Sequence, residues 1–349
     1  MVRDIRSELR SDKVILDKDA SIELVNYGRK RNDLIELSLE EAAYLLERAK
    51  ISVLLEKKEL DFESFVKKAS KIAPNFELKY LVYKDLRERG YFVHPGTTDF
   101  RVYPRGGSPG TTPAEYFVQV ISEREPLGLE TLIKELVVVE NVRKRLILAI
   151  VDEESDITFY EVTSTLFGEA KESKDPGSVN PVAATLLQDR VVLWDQKISN
   201  DLFNLYFFGK LLDEKRLQLS LVESLYLLQI GLINLVGLDD QKIKIEDFFK
   251  YATSIEPDFA AKYKVYEDLR KRGLSVKTGF KFGTHFRVYD GMKDTHSRFL
   301  VHAIPAEHVF SLQEMSRAIR LSHSVRKKMV FAYDLNHNIG YIGIGRVKL

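Results

Sequence analysis

The chain has 349 residues, 44% of them hydrophobic and 30% charged, with a formal net charge of +1. That profile fits a globular protein with a substantial core and room for two ordinary domains; it excludes a disordered chain and a uniform polycation. With no cysteine, disulfides and thiolate metal sites are excluded, and a reducing cytoplasm is the expected compartment.

The opening "MVRDIRSELR" is charged and lacks the apolar run of a signal peptide. Next, "LIELSLEEAAYLLERAKISVLL" (34–55) reads as a core helix. Ser38 followed by Glu41 gives it a capping-box start, in which each residue satisfies the other's backbone N–H. A second helical region, with Tyr80, Tyr83 and Arg87 at helical spacing, ends at Gly90, where a left-handed cap is expected. Alternating apolar positions in "DFRVY" and "EYFVQVI" then predict strands. A further helix and a β-hairpin follow, and the hairpin turn "VDEESDI" (151–157) gathers Asp152, Glu153, Glu154 and Asp156.

After "GEAKESKDPGSVNP" (168–181), rich in Gly, Pro, Ser and charge, the phrases return in order. "LSLEEAAYLL" at 37 becomes "LSLVESLYLL" at 219, with Ser220 and Glu223 as the second capping box. "IAPNFELKYLVYKDLRERG", ending at Gly90, becomes "IEPDFAAKYKVYEDLRKRG", ending at Gly273. "NVRKRLILA" at 141 becomes "SVRKKMVFA" at 324. The spacing of 182–183 residues widens to 186 at the FRVY pair, so a small insertion precedes the second FRVY. The chain is therefore a tandem duplication of α+β class, each repeat a helical front part and a mixed α/β back part. We divide it into a first repeat (1–167), a linker (168–183) and a second repeat (184–349). The apolar stretch 217–238 is interrupted by Glu223 and Gln229, so it reads as a core helix and not a membrane span.

The last helix is expected from Ser311 to about Lys328. At about 100° per residue, Leu312, Met315, Ile319, Ser322 and Val325 share one side, and Arg317, Arg320, Ser324, Lys327 and Lys328 share the other. A basic face is most often only a solvated one. Here six of the seven histidines lie between His285 and His337, beside that helix. Tyrosine, histidine and lysine together suit RNA cleavage by its own 2′-hydroxyl: a phenol near cations helps remove a proton, histidine supplies one, and lysine neutralises the crowded phosphate. No cofactor or metal is needed for that reaction.

"GFKFGTHFRVY…HSRFLV…AIRLSHSVRKKMVFA" resembles the catalytic subunits of archaeal tRNA-splicing endonucleases. The resemblance covers most of the chain and is closest to the class with two fused repeats per polypeptide, which works as a homodimer on precursor tRNA. It implies a restriction-endonuclease-like α/β fold for each back part, behind a helical/β front part. It further implies Tyr289 as general base, His296 as general acid and Lys327 as transition-state stabiliser. Arg320 and Arg346 match the arginines that hold a flipped-out bulge base. The acidic turn at Asp152, Glu153, Glu154 and Asp156 matches a loop that inserts into the partner subunit. Where the second copy has His296 the first has Pro113, which has no proton to give, so the first copy is expected to be inactive despite Tyr103 and Lys144. His302 and His323 are expected to be structural or to touch RNA; His285 is left open. Two other classes remain: a non-catalytic RNA-binding scaffold, which should lack the Tyr–His–Lys set, and a metal-dependent nuclease, which needs paired carboxylates near a lysine.

Overall fold

A computed structural model describes residues 5–17, 24, 27–165, 167–168, 180–289, 296–335 and 338–349. The first repeat opens with strands β1 (Ile5–Arg10), β2 (Lys13–Asp17), β3 (Arg29–Arg31) and β4 (Leu34–Leu37). Helix α1 (Leu39–Glu47), strands β5 (Ile51–Leu55) and β6 (Lys58–Leu60), and helices α2 (Phe62–Ile72) and α3 (Phe76–Glu88) complete its front part. The back part holds β7 (Val93–Pro95), β8 (Phe100–Val102), β9 (Tyr116–Ser122), β10 (Leu127–Gly128), α4 (Leu129–Asn141), β11 (Arg145–Val151) and β12 (Ile157–Ser164).

The second copy begins with β13 (Val182–Leu187) and β14 (Arg190–Leu193), then α5 (Gln196–Asn204), β15 (Lys210–Leu211), β16 (Leu217–Leu219), α6 (Leu221–Gln229) and β17 (Ile233–Val236). Helices α7 (Ile245–Ile255) and α8 (Phe259–Lys271) lead to its back part. There β18 (Ser275–Thr278), a 3-10 turn at Phe280–Phe282, β19 (Phe286–Tyr289), β20 (Phe299–Ile304) and β21 (Val309–Phe310) precede α9 (Leu312–Ser324). The chain ends on β22 (Lys328–Leu335) and β23 (Asn338–Val347). β13 starts at Val182, two residues inside the expected linker, because Val182 and Ala183 pair with Ile233 and Asn234 of β17.

Two expected core helices are shorter than their apolar stretches. Residues 34–55 fold as β4–α1–β5, and 217–238 as β16–α6–β17 around a nine-residue helix. Periodicity cannot separate a buried strand from a buried helix in a continuous apolar run. The charge within each run has a structural use. Both capping boxes form, and Glu41 then accepts hydrogen bonds from Ser38 N and Gly28 N, both at 3.0 Å. Glu223 does the same with Ser220 N (2.9 Å) and Gly209 N (2.8 Å). Gly28 (φ 64°) and Gly209 (φ 56°) are left-handed, and a Cβ on either would lie within 2.6 Å of neighbouring atoms, so only glycine fits. Among the described residues no helix is long and apolar enough to cross a membrane.

The back parts of both repeats form one ten-stranded sheet, ordered β18-β19-β20-β22-β23-β12-β11-β9-β8-β7. Its centre is the antiparallel pairing of β12 with β23, from Phe159↔Val347 to Ser164↔Ile342. One face there carries a shared core: Phe117, Leu146 and Leu148 from the first repeat meet Leu300, Met329 and Phe331 from the second, under α4 and α9. Beyond the paired strands, each repeat sends its tail into the other. Phe167 packs in the second repeat's core, edge-on to Phe299 and Tyr341 at 5.0 and 4.8 Å, and its carbonyl accepts a bond from Arg272 at 2.9 Å. Leu349 packs in the first repeat's core, held by Arg89 at 3.1 Å.

Truncating Phe167 to alanine should leave a cavity between Phe299 and Tyr341 and cost about 3–5 kcal/mol. Urea unfolding of Phe167→Ala measures this; an unchanged midpoint and slope would show that the exchanged tail contributes nothing.

Candidate active site

Each back part ends its helix in the same way. After α9, Val325 caps the helix, Arg326 takes a left-handed conformation (φ 55°), and the chain reverses. Lys327 N donates to Ser322 O (2.9 Å) and Arg326 N to His323 O (3.0 Å), the two bonds of a Schellman motif. The helix therefore stops at Ser324, short of the expected Lys328. Lys327 and Lys328 do not lie on its basic face; Lys327 sits in the turn and Lys328 opens β22. The first repeat repeats this stop, with Arg143 at φ 56° and Lys144 N bonded to Val139 O at 3.0 Å.

The turn delivers Lys327 to the other expected site residues. Its ammonium donates to Ser297 O at 2.6 Å, next to His296. Arg298 N bonds Val288 O and Lys328 N bonds Arg298 O, both at 3.0 Å, so the His296–Arg298 segment is tied to β19 and β22 at once. Tyr289 ends β19, buried, with its ring 6.0 Å from that of Phe207. His296 is exposed. The sequence thus placed Tyr289, His296 and Lys327 on three segments that the sheet brings to one corner.

Sequence reading missed the charges around them. Lys327, Lys281 and Arg287 lie 5.9, 5.3 and 5.9 Å from the ring of Phe282. Burial, and then Arg287 and Lys281, push the Lys327 amine below its usual range. Such a set of cations attracts phosphate and repels a metal ion. The insertion before the second FRVY is the signal for Lys281, whereas Arg287 and Lys327 lie in phrases shared with the first repeat. Lys277, facing Arg287 across β18–β19, was missed too: its amine donates to Gly209 O at 2.6 Å, and burial lowers its pKa to about 8.

Other expected residues are spread around α9. A cavity of about 690 Å³ is lined by Arg298, Ser322, His323, Lys327 and Arg346, among others. Arg320 faces a different cleft of about 300 Å³, shared with Arg317, Asp152 and Asp156. In the acidic turn, Asp152 accepts from the backbone N–H groups of Glu154 (3.0 Å) and Asp156 (2.9 Å), while Glu153 pairs with Arg124 at 2.6 Å and Glu154 is exposed. His337 lies outside the described residues.

His285 and His302 are a stacked pair, 4.1 Å between ring centres. His285 Nδ1 accepts from Ala303 N at 3.0 Å, and its Nε2 lies 3.1 Å from Asp258. Burial holds both rings below the usual histidine range, helped at His285 by the charges of His302 and Lys262 against the opposing pull of Asp258. The first repeat has a further histidine that sequence reading passed over. His94 sits 6.0 Å from Tyr103, ring to ring, but burial and Arg87 hold it down to about 4, so it is neutral near pH 7. Pro113 is exposed there.

Both repeats match the model of the tRNA intron endonuclease catalytic C-terminal domain, at residues 76–159 and 259–341. Both also match the tRNA intron endonuclease N-terminal domain, at 5–66 and 182–249. The chain is 51% identical to the tRNA-splicing endonuclease of Methanococcoides burtonii, over 99% of this chain and all of that one. It is 48% identical to that of Methanosarcina acetivorans with the same coverage, and 33% identical to that of Haloarcula marismortui over 92% of each.

Unfolded, His285 and His302 each take a proton near pH 6.5; folded, burial moves protonation of both to lower pH, that of His285 to about 3. Their contribution to stability is full above pH 6.5 and is lost as the pH falls below it, by up to about 1.4 kcal/mol per pH unit for each proton. Urea unfolding between pH 7 and pH 5 should show this decline, and His285→Gln, which keeps an acceptor for Ala303 N, should decline less steeply. Parallel curves would contradict the neutral pair.

Proposed function

The chain belongs to the tRNA-splicing endonuclease family, and from that premise we propose that it cuts precursor tRNA at bulge–helix–bulge splice sites through Tyr289, His296 and Lys327. The observation that carries the reading is the Lys327 contact with Ser297 O, which sets a half-buried ammonium next to His296 at the end of the strand bearing Tyr289.

In the reaction, the substrate's own 2′-oxygen attacks the adjacent phosphorus, and the bond to the 5′-oxygen breaks. Tyr289 takes the 2′-hydroxyl proton; His296 gives a proton to the leaving 5′-oxygen. Lys327 balances the extra negative charge that the phosphate carries in between, with Lys281 and Arg287 adding positive charge nearby. The products are a 2′,3′-cyclic phosphate and a 5′-hydroxyl, with no water or metal consumed. The second repeat, which the pairing of Val182 and Ala183 with β17 extends back to residue 182, is the catalytic one, and 1–167 is the non-catalytic one. Within one chain Arg320 and Arg346 face different clefts. A bulge base stacked between two such arginines therefore calls for arginines from two copies, which favours a homodimer. The acidic turn of the first repeat is the element we assign to the contact between copies.

His296→Ala should bind a bulge–helix–bulge RNA as wild type does and cleave it about 10²–10⁴-fold more slowly. Filter binding and single-turnover cleavage read the two separately. Cleavage by His296→Ala at the wild-type rate would remove His296 from the mechanism.

A further inference from the structure

The catalytic corner carries an aromatic side chain that the fold has no use for. Phe280 is 92% exposed, more than any other large apolar side chain among the described residues. It is not on a loose loop. Gly279 N bonds His285 O (2.8 Å), Phe282 N bonds Gly279 O (2.8 Å) and Gly283 N bonds Phe280 O (2.9 Å), closing a 3-10 turn on top of the β18–β19 hairpin. Glycines define both ends. A Cβ on Gly279 would lie 2.4 Å from Thr284 Oγ1, and Gly283 needs φ 65°. The turn thus holds a bare ring out in solvent while its neighbour Phe282 turns inward, half-buried against the core under α9.

Two further observations say what covers that ring. The first is charge: Lys281, Arg287 and Lys327 surround Phe282 directly beneath, and among the described residues no ion pair ties any of the three to a carboxylate. A hydrophobic protein surface pressed on Phe280 would have to bury those cations, whereas a nucleotide brings a phosphate for them along with a flat base for the ring. The second is the comparison between copies. Where the second repeat has Gly279 to Phe286, the first runs from Gly96 to Phe100, three residues shorter. Its hairpin tip has no aromatic side chain and no basic one; Asp99 instead accepts from Val120 N at 2.7 Å and pairs with Lys79 at 2.9 Å. The exposed ring and Lys281 have no counterpart in the first copy, whereas Arg287 and Lys327 correspond to its Arg101 and Lys144.

We propose that Phe280 is a stacking platform for the base of an unpaired bulge nucleotide beside the scissile phosphate, with Lys281 and Arg287 holding the flanking phosphates. This rests on the reading of the chain as a bulge-cleaving endonuclease. Every base offers a flat face, so the contact selects for an unstacked nucleotide and not for its identity. Phe280 touches the substrate but no reacting atom, so its contribution falls on binding.

The test uses full-length enzyme and bulge–helix–bulge RNAs in which each bulge nucleotide in turn is replaced by an abasic one. Phe280→Ala and Phe280→Leu should weaken binding about tenfold, as expected for losing one stacked base, and Phe280→Trp should restore it. At one bulge position the abasic substitution should cost wild type the same factor and cost Phe280→Ala nothing more. Binding by Phe280→Ala equal to wild type, full binding by Phe280→Leu, or losses that multiply at every position would overturn the proposal. So would a change in oligomeric mass of Phe280→Ala without RNA, which would assign the ring to a contact between copies. Wild-type enzyme that leaves the unmodified RNA uncut would refute the functional reading itself, a result distinct from any of these.

Discussion

The structure depends on the pairing of β12 with β23. Six register pairs, from Phe159↔Val347 to Ser164↔Ile342, make one sheet of two copies that could each have ended in an exposed edge. Once those strands are joined, the apolar face beneath α4 and that beneath α9 fall side by side and become a single core. The same geometry carries each chain end past the seam. Phe167 and Leu349 then fill matching places in the opposite repeat, each with its carbonyl held by the equivalent arginine, Arg272 or Arg89. The boundary drawn between repeats in the sequence is therefore not a boundary in packing. The two back parts share a core, and the front parts keep separate sheets.

A duplication fixed in this way allows its copies to diverge, because the frame of each is held by the other. The two corners now differ in charge. In the first repeat Arg145 is gripped by Glu161 at 2.6 Å and Glu115 at 3.0 Å. At the matching position to Glu115 the second has Arg298, and at Arg145 it has Lys328. Lysine at the helix stop is retained in both, but only Lys327 meets a carbonyl beside a histidine. The first copy's own neighbouring histidine, His94, takes the place on β7 that Lys277 takes on β18, and burial keeps it neutral. It packs beside a tyrosine whose copy has Pro113 where the other has His296.

Much of this was legible in the chain. The duplication, the capping boxes at Ser38 and Ser220, the left-handed stops at Gly90 and Gly273, and the strand character of FRVY were all readable, because each rests on local chemistry: a hydroxyl three residues before a carboxylate, a glycine after a helical run, alternating apolar residues. The family resemblance supplied Tyr289, His296 and Lys327, which the sheet brings to one corner. What local rules could not give was length. The helix after Ser311 was expected to reach Lys328, because arginine at the left-handed Arg326 position gives no warning of the kind that glycine gives. Nor could they show that Glu41 and Glu223, interruptions in apolar runs, reach back to the glycines that turn the preceding loop. The cations around Phe282 were invisible for a different reason: they are neighbours through the fold and not through spacing.

The central claim is that the corner of Tyr289, His296 and Lys327 cleaves RNA with the substrate's own 2′-hydroxyl. It is tested most directly by incubating the enzyme with a bulge–helix–bulge precursor tRNA in excess EDTA and identifying the end groups of the products. Two cuts that leave 2′,3′-cyclic phosphate and 5′-hydroxyl ends are the predicted result. Cleavage only after Mg²⁺ is supplied, or products with 5′-phosphate ends, would contradict it.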